Sequence, residues 1–266
     1  MEHDMPSTEC DAGPGGAEFV RDFDSRGEDY HRAFAVFLAH TDQKVRLKGW
    51  IDEAVAGLPR RGTFLDAGAG TGQVTAWYAD AFEAMIAIEP NPSLREELAR
   101  ACPAAEVVPA GLMEAGPPRP CDLVLCSHVF YYIEPDEWLA NLEALAAWVG
   151  ERGMLALILQ NPRTDCMRML RHFTGRAFDL EGLRSAFDAR HGSRFEGRIE
   201  TVPATIAAAD PADAYTIAEF VLNVLPIPTP IPRADVERYL DRHARGADGV
   251  HRLTCDQDVL VLRPRA

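Results

Sequence analysis

From Phe34 through Phe37, Leu38, Val45, Leu47, Trp50, Ile51 and Val55 to Leu58, apolar positions recur every three to four residues. That beat predicts amphipathic helix. His40-Thr41-Asp42 interrupts it, and either Thr41 or Asp42 suits the cap of a second helix. The pattern then changes to short apolar runs without alternation: Thr63–Ala67, Ala84–Ile88, Glu106–Val108, Asp122–Ser127 and Gly153–Leu159. Runs of this kind predict strands covered on both faces. Helical stretches over 73–81, 92–101 and 136–149 separate them. Pro92 suits a first helical turn, and Gly150 is expected to close the helix before it. Strands alternating with helices predict an α/β fold with a doubly wound, mostly parallel sheet.

Beyond Asn161-Pro162 the pattern predicts helices over 164–173, 180–190, 211–225 and 233–244, and strands over 198–202 and 258–263. Pro226–Pro232 holds four prolines in seven residues and predicts a stiff spacer. Residues 1–24 read as a disordered tail, acidic and rich in Gly and Pro at the start, without the basic start and apolar stretch of a signal peptide.

Charge narrows the partners. The chain carries 41 acidic and 27 basic residues, a net charge of −14. That argues against binding a phosphate backbone or an anionic membrane surface. No apolar run is long enough to span a bilayer. The six cysteines form no CxxC pair and no metal-type cluster with histidine, so no metal is expected, and thiols fit a reducing, cytoplasmic setting. A 47% apolar chain of 266 residues can bury one large core, as a monomer or homodimer.

Candidate chemistry concentrates after the first strand. Asp66-Ala67-Gly68-Ala69-Gly70-Thr71-Gly72 is a glycine-rich turn leading into a helix. Glycines let backbone approach a ligand closely, and the helix start offers free N–H groups. Glu89 ends the next strand, where a carboxylate can take both hydroxyls of a ribose. A dinucleotide site would want a third glycine at position 73, which is Gln73, and the GxxxxGK pattern of triphosphate sites is absent. A nicotinamide oxidoreductase is thereby disfavoured.

Together with Ile88-Glu89-Pro90-Asn91 and Cys121–Ser127, this loop resembles the class I S-adenosylmethionine-dependent methyltransferases over residues 60–160. The resemblance implies a seven-stranded Rossmann-like sheet with N-terminal helices and a helical lid. It implies a cofactor held by Asp66, Gly68, Gly70, Gly72, Glu89, Asn91, Gly111 and Ser127, the adenine lying near Ala110-Gly111. It also implies one domain over 25–266: a helical cap (25–58), a cofactor-binding core (60–161), a substrate-covering segment (162–245) and a final strand (257–264). Phe34–Lys44 and His128–Ile133 look like the narrower histamine N-methyltransferase group. That likeness places acceptor contacts at Asp42 or Gln43, at His128 and near Cys255, with Tyr30, Phe34 and Tyr132 as pocket wall. The implied reaction is methylation of a small molecule, an amine or N-heterocycle first, with O- or C-methylation or a non-catalytic cofactor scaffold as alternatives. His128 is either a proton acceptor or a contact residue, and Asp42 either an anchor for a cation or only a helix cap. Trp77, Trp138 and Trp148 are expected to serve packing.

Overall fold

The computed structural model describes residues 18–23 and 27–265. Its first helices are α1 (Glu28–His40) and α2 (Gln43–Ala56). The break falls at Thr41, whose backbone is extended. Asp42 makes no side-chain cap. Its carboxylate accepts instead from the Thr205 N–H at 2.8 Å and from Arg46 at 2.9 Å.

The α/β core follows as β1 (Thr63–Ala67), α3 (Gln73–Trp77), β2 (Ala84–Ile88), α4 (Pro92–Ala101), β3 (Glu106–Val108), β4 (Cys121–Ser127), α5 (Trp138–Ala147) and β5 (Val149–Gln160). The rest is α6 (Asp165–Thr174), α7 (Leu180–His191), β6 (Phe195–Val202), β7 (Thr205–Ala208), α8 (Pro211–Leu222), α9 (Arg233–His243), β8 (His251–Thr254) and β9 (Gln257–Pro264). One seven-stranded sheet runs β3-β2-β1-β4-β5-β9-β6. Its first five strands are parallel, and β9 lies antiparallel to both β5 and β6. The expected Rossmann-like sheet is therefore present.

Its central strands read as unbroken apolar runs because both faces are covered. One face packs side chains such as Leu142, Leu145 and Phe187 from α5 and α7, the other Leu47, Ile51 and Leu98 from α2 and α4. Leu98 is fully buried. That burial is worth about 2 kcal/mol, and it seats α4 under the glycine loop.

Several boundaries differ from the sequence expectation. The helix predicted over 73–81 stops at Trp77, because Tyr78 turns inward, its ring against Phe64 and its hydroxyl donating to Asp52 at 3.0 Å. Gly150 does not cap α5; it lies within β5, which begins at Val149. Gly153 is needed there, since a Cβ would lie 2.5 Å from the Cys121 carbonyl oxygen. A small second sheet, β7 with β8, was not predicted. Nor are residues 18–23 a loose tail. Val20 donates to the Ile231 carbonyl at 2.8 Å, and Arg21 reaches the buried carboxylate of Glu219 on α8 at 2.6 Å. The remainder of the expected tail, Cys10 included, lies outside the described residues. Among the described residues no helix is long and apolar enough to cross a membrane, and no three His, Cys, Asp or Glu side chains converge as a metal site.

Candidate active site

The cleft opens at the C-terminal ends of the parallel strands, where open α/β sheets bind ligands. On one side is the glycine loop. Gly68, Gly70 and Gly72 take φ of 80°, 56° and 80°, values that disfavour any side chain. A Cβ at Gly68 would lie 2.3 Å from Val129 Cγ2, and one at Gly72 2.6 Å from Leu98 Cδ1. Around Gly70 there is open space. The Gly68 and Ala69 N–H groups both donate to the Ile88 carbonyl, tying the loop to the end of β2.

Glu89 is buried beside this loop. One carboxylate oxygen accepts from the Gly70 N–H at 2.9 Å, the other from the Asn91 N–H at 2.8 Å. A carboxylate oxygen has room for a second donor, so both remain able to accept from a vicinal diol. Asp66 lies beneath, accepting from Thr75 Oγ1 at 2.7 Å. Burial raises its pKa to about 6; the Thr75 bond opposes this and the Glu89 charge adds to it. Asn91 caps α4 by accepting from the Ser93 N–H at 2.9 Å. Gly111 follows β3, with Glu114 so close that a Cβ would meet its Oε2 at 2.5 Å. An open glycine cradle beside a half-satisfied buried carboxylate fits the ribose end of an adenosyl group.

Next to it is a cavity of about 270 Å³. Tyr30, Phe34 and Phe37 of α1 face Phe220 of α8, with ring centroids 5.0–5.6 Å from that of Phe220. Tyr132, exposed at the rim, and Trp77 add further aromatic wall. The polar lining is Gln43, Lys44, Ser127, His128, Gln160, Asn223, Gln257 and the tyrosine hydroxyls.

His128 is the described non-glycine residue with positive φ, 60°. Such strain persists only where surroundings fix it. Here the His128 N–H donates to the Ile158 carbonyl at 2.9 Å. Its Nδ1 lies 3.2 Å from the Tyr131 hydroxyl, and its Nε2 lies 2.6 Å from the Gln257 amide. Tyr131 in turn accepts from the Gln160 N–H at 2.6 Å. Burial, with Lys44 nearby, pushes the His128 pKa down to about 4. The ring is neutral at pH 7 with both nitrogens engaged by the protein. Gln257 keeps its Oε1 buried and without a partner, one of the few such atoms expected in a folded protein.

Of the acceptor-side residues expected from sequence, Tyr30, Phe34, Gln43, His128 and Tyr132 come together at this cavity, joined by Ser127, which was expected on the cofactor side. Asp42 does not line it, its carboxylate being held by Thr205 and Arg46. Cys255 stands behind the wall, accepting from Gln43 Nε2 at 3.0 Å through its carbonyl oxygen and at 3.0 Å through Sγ. Trp77, expected to serve packing, lines the cavity. Lys44, Phe220 and Gln257 were not anticipated. Lys44 had a signal, being next to Gln43. Gln257 had none, since nothing local shows that the first residue of the last strand comes to lie beside His128.

A sequence family described as "Methyltransferase domain" matches residues 38–198, and the chain belongs to it. It is an S-adenosylmethionine-dependent methyltransferase of the class I fold. No curated protein matches the sequence. Among solved structures, YcgJ of Bacillus subtilis aligns with TM-score 0.58 and 12% identity, over 81% of this chain and 97% of that one. A functionally unknown protein of Deinococcus radiodurans R1 aligns with TM-score 0.51 and 15% identity, over 78% and 82%. DhpI, solved in complex with SAM and HEP, aligns with TM-score 0.51 and 16% identity, over 67% and 88%. At these identities the likeness is one of fold. The narrower histamine N-methyltransferase resemblance draws no support from these matches.

Proposed function

We propose that the enzyme methylates a small, flat acceptor inside the aromatic cavity, at an oxygen or at a nitrogen that bears no positive charge. The observation behind this reading is the charge of the lining: no aspartate or glutamate among the described residues faces the cavity, and its one charged side chain is Lys44. A protonated amine would enter without a counter-ion, and burying an unpaired charge is costly. The volume suits a molecule of roughly one substituted ring, just below the usual range of small-ligand pockets, about 300–1,000 Å³.

S-adenosylmethionine supplies an electrophilic methyl group on a sulfonium. On this reading Glu89 and the glycine loop hold its adenosyl end. Tyr30, Phe34 and Phe220 clamp the acceptor ring and exclude water, while Ser127 and His128 stand where the two halves of the cleft meet. Fixing two reactants in line is worth roughly 7–11 kcal/mol of the barrier. His128 serves as a fixed wall that orients the acceptor, since both its nitrogens are already bonded. An acceptor oxygen that arrives ionised needs no proton acceptor from the enzyme.

The test is turnover of methyl-labelled S-adenosylmethionine across matched phenols, aromatic acids, neutral N-heterocycles and aliphatic amines. Labelling of the first three classes with little on the amines is expected. A preference for protonated amines would overturn the charge argument. Failure to bind S-adenosylhomocysteine would overturn the assignment of the cofactor half.

A further inference from the structure

Lys44 differs from the other cations of α2. Arg46 pairs with Asp42 at 2.9 Å and Lys48 with Asp52 at 2.8 Å. Lys44 pairs with no carboxylate among the described residues. Its Nζ donates to the neutral amide of Gln73, the first residue after the glycine loop, and lies 5.0 Å from the centroid of the Phe34 ring. It is half-buried and lines the cavity. Burial depresses its pKa, and no anion among the described residues offsets this.

Other charges near the cleft are committed elsewhere. Asp42 is held by Thr205 and Arg46. Asp213 faces His40 at 3.4 Å, and Glu219 is paired with Arg21. His128, the other titratable base in the wall, is neutral. Lys44 is thus a positive charge facing an otherwise uncharged aromatic chamber, in a protein whose net charge of −14 repels anions at long range. A cation held this way, with donors left over, is matched by a carboxylate far better than by a neutral group.

We propose that Lys44 is the anion-binding residue of the cleft and that its ligand is a carboxylate carried in by a bound small molecule. The carboxylate belongs either to the acceptor, which is then an aromatic acid, or to the amino-acid end of the cofactor, since Lys44 bridges cavity and glycine loop. The inference rests on the small-acceptor reading above and deepens it.

Two paired comparisons separate the sources, using Lys44→Met, which keeps the apolar stem, and Lys44→Arg, which keeps the charge. The first pair is S-adenosylhomocysteine against 5′-methylthioadenosine, which lacks the carboxylate. The second is 4-hydroxybenzoate against its methyl ester, with S-adenosylhomocysteine present. Calorimetry should find that Lys44→Met weakens the carboxylate-bearing member of one pair at least tenfold, with its partner changed less than twofold, and that Lys44→Arg retains binding. Loss in the first pair assigns the carboxylate to the cofactor, and loss in the second to the acceptor. Affinities within twofold in the first pair, with the second pair either unchanged or unbound by the wild-type enzyme, would overturn the proposal. Equal losses in both members of a pair would also overturn it, because they report damaged packing. Wild-type protein that binds S-adenosylhomocysteine while turning over only protonated amines would instead sink the acceptor reading, leaving the first pair to judge Lys44.

Discussion

On the cofactor side of the cleft the chain works with backbone. Three glycines of positive φ, N–H groups tied to Ile88 and Glu89, and two buried carboxylates, Asp66 and Glu89, shape that half. On the acceptor side it works with side chains. Four phenyl and phenol rings from α1 and α8, a lysine, and a histidine clamped between Tyr131 and Gln257 form the wall. One half is acidic and local in sequence; the other carries the opposite charge and draws on residues more than two hundred positions apart, from Tyr30 to Gln257. A common cofactor demands one geometry, whereas the acceptor half must be free to change. The halves touch at Gly68, whose hydrogen side faces Val129, the neighbour of His128.

That contact supplies the largest expected effect. Gly68→Ala puts a Cβ where only 2.3 Å separates it from Val129 Cγ2, on a backbone of φ 80°. The left-handed conformation and the overpacking together should cost about 2–5 kcal/mol. Urea unfolding should register the loss, and both S-adenosylhomocysteine affinity and acceptor turnover should fall. If only one of the two fell, the halves would be independent at this point.

Glu89→Ala should divide them. Its carboxylate is a charged acceptor for the loop and, on our reading, for the ribose, so S-adenosylhomocysteine should bind about 2–3 kcal/mol more weakly, roughly 30- to 150-fold. Glu89 does not line the cavity walled by Tyr30, Phe34 and Phe220, so the fluorescence and packing of that cluster should be unaltered. Calorimetry within threefold of wild type would remove Glu89 from the cofactor site.

The same division governs what could be read from the amino acids alone. The sheet and the loop were legible because their signals are contiguous: apolar runs, a GxGxG turn, and a carboxylate at the next strand end. The cavity was legible where it borrows from that frame, at Ser127 and His128, and where the helical pattern or the family likeness reaches it, at Tyr30, Phe34, Gln43 and Tyr132. Phe220 lies on a helix whose apolar residues fit core equally well, and nothing local shows that it faces α1. Gln257 lies at the start of β9, beside His128 only because β9 inserts antiparallel next to β5. Asp42 failed as an anchor for a distant reason too: Thr205, on a strand the pattern did not reveal, takes its carboxylate. Boundaries slipped where a single inward side chain, such as Tyr78, overrode helical propensity.

The smallest net effect is the most discriminating, because each half contributes one group of opposite sign. His128 has a folded pKa of about 4, below its ordinary 6.5, so the unfolded chain takes the proton first. Its contribution to stability is complete above about pH 6.5 and is lost as the pH falls toward 4. Asp66 has a folded pKa of about 6, above its ordinary 3.8, so the folded state takes the proton first. Its contribution is complete below about pH 3.8 and is lost as the pH rises through 6. Between pH 7 and pH 5 the histidine should remove roughly 2 kcal/mol and the aspartate restore roughly 1.3 kcal/mol, a net loss of about 0.5 kcal/mol from this pair. Measured by urea unfolding across that range and relative to wild type, His128→Gln should gain stability on acidification and Asp66→Asn should lose it. Parallel pH slopes for all three proteins would mean that neither group is held as the cleft requires. Slopes that diverge in opposite directions would place the neutral histidine in one half and the protonatable carboxylate in the other, which is the electrostatic form of the contrast between them.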